Sequence, residues 1–291
     1  MKQVLDAAGV RTPRHARAAT VRAVRDAIDR IGYPAILKPI AGAGSADTHR
    51  VNDREELEQA LGRLGHVPEV SVEEFIEGEE FTFDTICSEG EILYFNISWY
   101  RPHPLLGRSI EWISPQTVCL RDVESARLAS GREMGKEVLR ALGFRTGFTH
   151  MEWFRKEDGE AVFGEIAARP PGAKSVDIMN YASDISTFTG WAEAVCHGRF
   201  SQPLERKYNS AVVFKRAQGS GRIARIEGLG SLLSRFGEHV VAVDLLPVGS
   251  PRRDWKQTLL SDGFVICRHP DLETLCEIAD RIGTDLQMYA A

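Results

Sequence analysis

This sequence of 291 residues has few cysteines, no long apolar run and no strong excess of one charge. Its five cysteines are scattered and none forms a CxxC pair, so we expect reduced thiols in a cytoplasmic protein rather than a disulfide framework. No apolar stretch approaches the ~18 residues that a membrane-spanning helix needs, so no membrane association is expected. The first residues lack a basic head followed by an apolar stretch, so we expect no secretory signal either.

The charges nearly balance, since 36 Lys and Arg residues against 41 Asp and Glu residues leave a formal net charge of −5. A nucleic-acid-binding protein usually presents a basic face, so we expect no nucleic-acid partner. Apolar residues make up 43% and charged residues 26%, which is ordinary for a globular protein. This composition excludes disorder, collagen-like repeats and coiled coil. A chain of this length forms one large domain or two smaller ones.

The first part of the chain has the pattern of a small α/β lobe. Apolar residues recur at helical spacing over 20–31, with Thr20 placed as the N-cap. Residues 33–39 then read as a short buried strand, and the glycine-rich segment 41–47 follows as a loop. A second helix is predicted from Asp53 to Leu64, with Asp53 as its cap and Glu56 three residues further on.

The remainder alternates strands and helices. We predict strands over 70–76, 80–87 and 91–99, a long loop over 100–115, and a helix that Asp122 caps and that runs to about Leu142. A hairpin over 147–155 and 160–168 precedes a helix from about Ser183. The inward face of that helix is predicted to carry Ile185, Phe188, Ala192 and Val195. Residues 200–208 read as a linker, and the last part as strands near 211–217, 240–247 and 262–267 before a helix that follows Pro270.

The hairpin carries the most informative pattern. With an even loop centred on Asp158-Gly159, Glu152 lies directly opposite Glu165, while Phe154 faces Phe163 and His150 faces Ala167. Like charges in directly paired positions are destabilising, and a divalent cation such as Mg²⁺ would supply the missing charge. The alternative is two solvated glutamates on an open face of the sheet, and an odd loop would break the register. A core His150, or one that supports the site from behind, is favoured over a catalytic base.

Two basic residues add to this pattern. Arg169 comes just after the second carboxylate, in Arg169-Pro170-Pro171-Gly172, and a carboxylate pair with an arginine is typical of a site for phosphate and Mg²⁺. Lys38 ends an apolar strand, where a lysine is costly unless it is paired or faces a ligand. The loop 41–47 beside it is neither a Walker loop nor a complete GxGxxG fingerprint, and a plain turn is the alternative to a phosphate loop.

Taken in chain order, these segments resemble the ATP-grasp ligases, nearest to the carboxylate–amine (amino-acid or dipeptide) ligases and the biotin-carboxylase-like members. The segments that carry the resemblance are 8–14 (AGVRTPR), 33–45 (YPAILKPIAGAGS), 72–84 (VEEFIEGEEFTFD), 150–154 (HMEWF) and 165–173 (EIAARPPGA). The resemblance implies an α/β (α+β) ATP-grasp fold in which two lobes, 1–76 and 77–205, enclose ATP. Residues 206–291 would form a C-terminal α/β extension packed on the larger lobe.

The resemblance also implies roles for individual residues. Lys38 would contact the α- and β-phosphates, and Arg169 would face the transferred phosphate or an acyl phosphate. Glu73 would take the adenine amino group, the backbones of Phe75 and Ile76 would meet the adenine edge, and Glu80 would bind the ribose hydroxyls. Glu152 and Glu165 would hold Mg²⁺ or Mn²⁺. Glu74 and Glu79 are interpreted as ordinary solvated charges.

The sequence departs from the family pattern in two places. The family usually has Asn two residues after the second metal carboxylate, and here that position is Ala167, so a second metal ion would bind weakly or through water. The family also usually has a leading α/β domain that ends near another phosphate-binding lysine. Such a lysine would fall upstream of Met1, and Lys2 is a poor substitute by spacing. We therefore expect a fragment, a shortened gene product or a reduced version of the family.

The leading hypothesis is an ADP-forming ligase that joins a small carboxylic acid to an amine, with amino acids or peptides as substrates. Such ligases commonly form homodimers. The alternatives are an ATP-binding module with little catalysis of its own and a bicarbonate-activating, carboxylase-like enzyme. Arg101, His103 and Arg108 in the long loop, together with Lys174-Ser175, are candidates for substrate contact, and the alternative is that the loop residues are surface residues of a mobile segment.

Overall fold

A computed structural model describes residues 1–40, 47–258 and 260–291, except the side chain of Arg108. The proposed phosphate loop 41–47 therefore lies outside the described residues, apart from Asp47. No helix in the described part of the chain is long and apolar enough to cross a membrane. The five cysteines are all free thiols, as the scattered spacing predicts.

The first part of the chain forms an antiparallel four-stranded sheet with two covering helices. Its strands are β1 (His15–Ala18), β2 (Ala35–Pro39), β3 (His49–Val51) and β4 (Val70–Glu74), in the spatial order β1-β4-β2-β3. A short helix α1 (Lys2–Ala7) precedes them, and α2 (Val21–Ile31) and α3 (Arg54–Arg63) pack on the sheet. Both predicted caps are confirmed, because Thr20 accepts a hydrogen bond from the amide of Ala23 and Asp53 accepts one from Glu56.

The rest of the chain builds a larger sheet and its covering helices. Its elements are β5 (Glu79–Ser88), β6 (Glu91–Asn96), β7 (Ser98–Arg101), α4 (Pro104–Ser109), β8 (Gln116–Cys119), α5 (Ala129–Ala141), β9 (Gly147–Arg155), β10 (Ala161–Ala167), α6 (Ser175–Ser183), α7 (Thr187–His197), β11 (Asn209–Lys215), β12 (Gln218–Gly219), β13 (Ile223–Glu227), α8 (Leu229–Phe236), β14 (Val240–Leu245), β15 (Gly263–His269), α9 (Leu272–Asp285) and β16 (Gln287–Ala290).

The larger sheet is antiparallel and runs β10-β9-β5-β7-β8-β11-β15-β14, with β6 paired to β5. The junction of β8 with β11 joins residues 116–119 to residues 209–215, so strands from the last third of the chain continue this sheet. A separate small sheet has the order β12-β16-β13.

Strands β5 and β9 have one apolar and one polar face. Side chains alternate between the two faces of a strand, and one set packs into the main core with α5; it comprises Phe81, Phe83, Met151 and Trp153. The other set is polar or aromatic, and the register pairs Glu80 with Phe154, Thr82 with Glu152 and Asp84 with His150. This second face looks toward the four-stranded sheet and lines the cavity described below.

The predicted hairpin is present, but its register changes along the ladder. Near the turn the pairing is one residue out of step with the prediction, because Val162 lies opposite Phe154 and Phe163 lies opposite Trp153. A bulge at Gly164 restores the expected step, so Glu152 does lie opposite Glu165 and His150 opposite Ala167. The predicted Phe154–Phe163 pair is therefore wrong, while the glutamate pair is confirmed.

Several other elements differ from the sequence-based expectation. The predicted strand 91–99 is divided into β6 and β7, and the predicted loop 100–115 contains α4. Asp122 caps nothing, since α5 begins after Leu128 without a side-chain cap. Strand β8 and helix α6 were not predicted. In α7 the predicted inward residues Phe188 and Val195 are 52% and 53% exposed, and Gly190 and Ala194 are buried instead.

Candidate functional site

A cavity of about 390 Å³ lies between the four-stranded sheet and the polar face of the larger sheet. Side chains from β2 and β4 form one wall, and side chains from β5, β7, β9 and β10 form the opposite wall. All eight residues singled out from the sequence line it: Lys38, Glu73, Phe75, Ile76, Glu80, Glu152, Glu165 and Arg169. The fold thus brings together residues that are up to 131 positions apart, counted from Lys38 to Arg169.

The carboxylates of Glu152 and Glu165, which lie opposite each other on β9 and β10, both line the cavity. Glu165 is 58% exposed at the cavity, and desolvation together with the charge of Glu152 raises the pKa of its carboxyl group. Lys38 approaches Glu165 at 3.9 Å between Nζ and Oε2. In the described ranges no three His, Cys, Asp or Glu side chains form a ready metal cage. Two carboxylates fit Mg²⁺, which commonly takes one or two protein carboxylates and completes its shell with phosphate oxygens and water.

A second charged group lies on β2 and β4. The Nζ of Lys38 lies 3.2 Å from Oε2 of Glu73, and Lys2 pairs with the other oxygen of the same carboxylate. The hydroxyl of Ser71 donates to Oε1 of Glu73 at 2.7 Å. Burial raises the pKa of the Glu73 carboxyl group, but the two ammonium groups outweigh it and leave the pKa low. Glu73 is therefore an ionised carboxylate between two lysines.

The position of Lys2 differs from the expectation. By its spacing Lys2 is a poor candidate for a phosphate-binding lysine. In the structure its side chain is only 13% exposed and joins the charge cluster of Glu73 and Lys38. Burial lowers the pKa of Lys2 more than Glu73 raises it. The sequence signal was present in the helical periodicity of residues 2–7, which places Lys2 on α1 next to the buried Leu5.

Phe75 and Ile76, which are predicted to meet the adenine edge, lie beside other aromatic groups. Phe75 and Ile76 follow β4 directly, and the guanidinium of Arg50 covers the ring of Phe75 at 4.0 Å. The ring of His103 lies between Phe75 and Phe154, with centroid distances of 6.3 and 5.8 Å, and it is nearly parallel to Phe154. This aromatic wall gives the cavity an apolar slot of the kind that binds a planar base.

Glu80 lies next to this slot. Its Oε2 is 3.1 Å from Nε2 of His103. Burial raises the pKa of Glu80 well above its usual value, and the charges of Glu152 and Glu165 raise it further. His103 was a candidate for substrate contact, and the structure places it at this end of the cavity.

The other candidate substrate contacts are distributed differently. Arg101 pairs with Asp280 and donates to Gln116, in an open cleft outside the main cavity. The side chain of Arg108 lies outside the described residues. Ser175 lines the cavity, whereas Lys174 pairs with Asp177.

Glu74 and Glu79 are not the solvated charges that the sequence suggested. Glu74 pairs with Arg11 and Arg14, and Glu79 pairs with Arg127. Burial raises the pKa of Glu74, but the amide of Arg14 and the two guanidinium groups lower it overall.

His150, which the sequence favours as a core or supporting residue, belongs to a buried polar network behind Glu152, and the other members of this network were not predicted. Thr82 donates to Asp84 at 2.7 Å, Asp84 contacts Nδ1 of His150 at 2.6 Å, and Tyr100 donates to Glu152 at 3.0 Å. Burial lowers the pKa of His150, but Asp84 and Glu152 raise it to about 10. Burial likewise raises the pKa of Glu152, and the hydrogen bonds from His150 and Tyr100 lower it overall. The available signal was the period-two placement of polar residues in two otherwise apolar strands.

Other residues that line the cavity are basic or aromatic. Arg169 donates to the carbonyl of Pro170 at 2.9 Å, and no carboxylate among the described residues pairs with it. Arg216 lies across the ring of Trp255 at 4.5 Å and donates to the carbonyl of Gly107 at 2.8 Å. Phe214 also lines the cavity. The lining thus includes basic and aromatic side chains besides the acidic residues.

Comparison with known proteins identifies the class to which this fold and site belong. A family model described as the ATP-grasp domain matches residues 31–177, just over half of the chain. The chain therefore belongs to the ATP-grasp family, as the sequence motifs indicate.

Individual relatives agree with this assignment. The L-arginine-specific L-amino acid ligase of Bacillus subtilis is 33% identical over 151 residues, covering 50% of this chain and 36% of that protein. A formate-dependent phosphoribosylglycinamide formyltransferase of Rhodococcus jostii is 27% identical over 276 residues, covering 91% of this chain and 64% of that protein. The chain thus spans about a third to two thirds of the length of these curated relatives.

A solved structure supports the fold over nearly the whole chain. The L-amino acid ligase of Bacillus licheniformis superposes with a TM-score of 0.80 at 21% sequence identity, and the alignment covers 99% of this chain and 70% of that one. The expected ATP-grasp fold is confirmed.

Proposed function

We propose that this protein is an ATP-dependent ligase that joins a carboxylic acid to an amine through an acyl phosphate and releases ADP and phosphate. The observation that carries the proposal is the convergence of Lys38, the paired carboxylates Glu152 and Glu165, and Arg169 on one cavity. These are the charges that phosphoryl transfer from ATP requires, because catalysis there consists mainly of positioning and charge neutralisation.

In this proposal the nucleotide occupies the part of the cavity that is lined by the acidic residues and by the aromatic wall of Phe75, His103 and Phe154. We call this part the nucleotide end. Phe75, Ile76 and the ring of His103 supply the slot for adenine. Glu73 does not suit the adenine amino group, because its two oxygens pair with Lys38 and Lys2; it holds Lys38 in place instead. Glu80 binds the ribose hydroxyls, and Lys38 reaches the phosphates. The support is that side chains of these residues come from both sheets and line the same cavity.

Glu152 and Glu165 would hold Mg²⁺ or Mn²⁺. The direct pairing of Glu152 with Glu165 across β9 and β10 supports this, because burial raises the pKa of Glu165 and the charge of Glu152 raises it further, and a cation would offset that repulsion. The cation, when bound, would neutralise charge on the phosphates.

The reaction has two steps that balance. A carboxylate oxygen of the acid attacks the γ-phosphorus, a P–O bond forms, and the bond to the β-phosphate oxygen breaks as ADP leaves. The amine nitrogen then attacks the acyl carbon, a C–N bond forms, and the C–O bond breaks as phosphate leaves with the proton lost by the amine. Arg169 would stabilise the charge on the transferred group and the acyl phosphate.

The proposed site of the acid is the part of the cavity that is lined by Arg169, Phe214 and Trp255. We call this part the substrate end. Arg169 would meet the carboxylate near the metal carboxylates, and Trp255 and Phe214 would contact the remainder of the molecule. This arrangement favours an amino acid or another small acid with an apolar side chain. We propose as well that residues 1–76 and 77–205 act as the two nucleotide-binding lobes and 206–291 as the extension that helps to form the acid site.

Product analysis tests the proposal. The full chain is incubated with ATP, Mg²⁺ and pairs from a panel of amino acids, and nucleotides are separated by chromatography while products are weighed by mass spectrometry. ADP together with an amide product is the expected result, and formation of AMP would exclude this mechanism. The same preparation, examined by light scattering, tests the homodimer. Enzyme fractionation from source cells tests the cytoplasmic location that the free thiols favour.

A second candidate function is a nucleotide-binding module without turnover, and Ala167, which offers no oxygen ligand, is the observation that favours it. Calorimetry that detects ATP binding without ADP release in any acid would support the module. ATP cleavage that depends on bicarbonate would instead favour a carboxylase-like enzyme.

A further inference from the structure

The metal carboxylate Glu152 is held by one of its two oxygens. Its Oε1 accepts a hydrogen bond from the hydroxyl of Tyr100 at 3.0 Å and lies 3.4 Å from Nε2 of His150. None of the residues that the structure describes donates a hydrogen bond to Oε2. The hydrogen bond from Tyr100 and the contact with His150 both fall on Oε1, which restricts rotation of the carboxyl group and leaves the second oxygen available for a cation.

His150 is itself held from behind. Its Nδ1 lies 2.6 Å from Oδ1 of Asp84, a residue with no solvent exposure, and Oδ2 of Asp84 accepts from the hydroxyl of Thr82 at 2.7 Å. Both ring nitrogens of His150 thus face carboxylate oxygens, one from Asp84 and one from Glu152. A buried carboxylate with both oxygens occupied keeps the imidazole in one orientation.

The strand register makes this arrangement specific to Glu152. Asp84 lies directly opposite His150 and Thr82 directly opposite Glu152 across β5 and β9. On the other side, Ala167 lies opposite His150 across β9 and β10 and offers only a methyl group. The polar side chains that support Glu152 on β9 therefore come from β5 and β7 rather than from β10.

We propose that Asp84, His150 and Tyr100 are positioning residues that fix Glu152 so that it binds the metal through one oxygen. This inference rests on the proposed function, since that function assigns the metal to Glu152. Groups that orient a metal ligand typically change metal affinity by about 10–100-fold when removed.

Metal binding tests the inference without turnover. The full chain, saturated with ADP, is titrated with Mn²⁺ while free Mn²⁺ is followed by electron paramagnetic resonance. His150→Asn keeps a group near Asp84 but loses the contact with Glu152, so Mn²⁺ affinity should fall about 10–100-fold. His150→Gln reaches toward Glu152 and should recover part of that loss. Tyr100→Phe should weaken Mn²⁺ binding about tenfold, the lower limit of that range.

A matched control lies on the same two strands. Thr149 shares a buried hydrogen bond with Thr85, 2.6 Å between the hydroxyl oxygens, on the opposite face of the sheet. Thr149→Ala should lower the melting temperature and leave Mn²⁺ affinity unchanged. Affinity for ADP without metal should be unchanged in every variant, which a general loss of structure would not allow.

The outcomes separate the two ideas. If wild type binds Mn²⁺ and both His150→Asn and Tyr100→Phe bind it within twofold of wild type, the positioning inference is overturned and the proposed function stands. If wild type with ADP binds no Mn²⁺, both are overturned. The loss of Mn²⁺ affinity caused by Asp84→Asn should add to the loss caused by Tyr100→Phe. It should not add to the loss caused by His150→Asn, because Asp84 acts through His150. Should a His150 variant not fold, Tyr100→Phe alone decides.

Discussion

The two proposed ends of the cavity differ in charge and in how they are built. The end between the two sheets carries Glu73, Glu80, Glu152 and Glu165 with Lys38 among them, and every one of these residues is on or next to a β-strand. The proposed substrate end carries Arg169 and Trp255, and Arg216 lies across the ring of Trp255. Regular strands hold the acidic end, whereas Arg169 and Trp255 lie on irregular segments. The difference teaches that strands can position a cluster of charged side chains in a cavity while loops shape the rest of its lining.

The largest expected effect comes from the acidic end. Glu165→Gln removes charge and retains shape, so we expect metal-dependent ADP formation to fall by about three orders of magnitude, the upper range for loss of one charge-stabilising group. The melting temperature should stay the same or rise, because the substitution also removes the repulsion between Glu165 and Glu152 that raises the pKa of Glu165. Glu157→Gln in the exposed turn of the same hairpin is the control. Retained turnover would show that Glu165 is no metal ligand.

Substitutions of Arg169 test whether this residue acts on the transferred phosphate or on nucleotide binding. Arg169→Ala should lower kcat about 100-fold, because a donor to developing negative charge is lost, while the KM for ATP changes less than twofold. Arg169→Lys should recover part of kcat, since it restores the charge but not the planar fork. A change confined to the KM for ATP would move Arg169 to the nucleotide end.

Lys38 tests the nucleotide end alone. Lys38→Ala removes a charged hydrogen-bond donor, so the affinity for ATP in calorimetry should fall by about 10–100-fold. Lys136→Ala is the matched control, because Lys136 pairs with Glu133 on the surface of α5. Unchanged affinity for ATP would mean that Lys38 serves only to pair with Glu73.

The smallest expected effect is at the substrate end, which includes Trp255. Trp255→Ala should raise the KM for the acid by about tenfold, the order expected for lost apolar contact with a substrate, and leave the affinity for ATP unaltered. Trp112→Ala is the control, since Trp112 is 65% exposed and is not among the residues that line the cavity. An equal effect on ATP binding would contradict the division of the cavity into two ends.

The hairpin shows how far sequence patterns reach. The pairing of Glu152 with Glu165 was predicted from a two-residue turn, but near the turn the strands are out of step by one residue. Gly164 corrects the step: a Cβ there would lie 2.8 Å from the carbonyl oxygen of Glu152, so only glycine allows this close approach. Pairs beyond the bulge were therefore predicted correctly, and the Phe154–Phe163 pair before it was not.

Helix α7 shows a different limit. Its helical spacing was recognised, but the buried face was assigned to Phe188 and Val195, which are exposed. The buried face carries Gly190, where a Cβ would lie 2.1 Å from the ring of Phe200. When a short helix has apolar residues all round, periodicity does not decide the buried face, because the shape of the opposing surface selects it.

The sequence by itself determined the family, much of the secondary structure around the motifs, the caps of α2 and α3, and eight of the residues that line the cavity. These follow from local spacing and from motif order, which each segment carries within itself. Only the tertiary structure decided that Lys2 joins Glu73, that His103 lies beside Glu80, and that Asp84 and His150 stand behind Glu152. The physical reason is that these contacts join residues from separate elements, and their geometry depends on how the two sheets face each other and on one bulge.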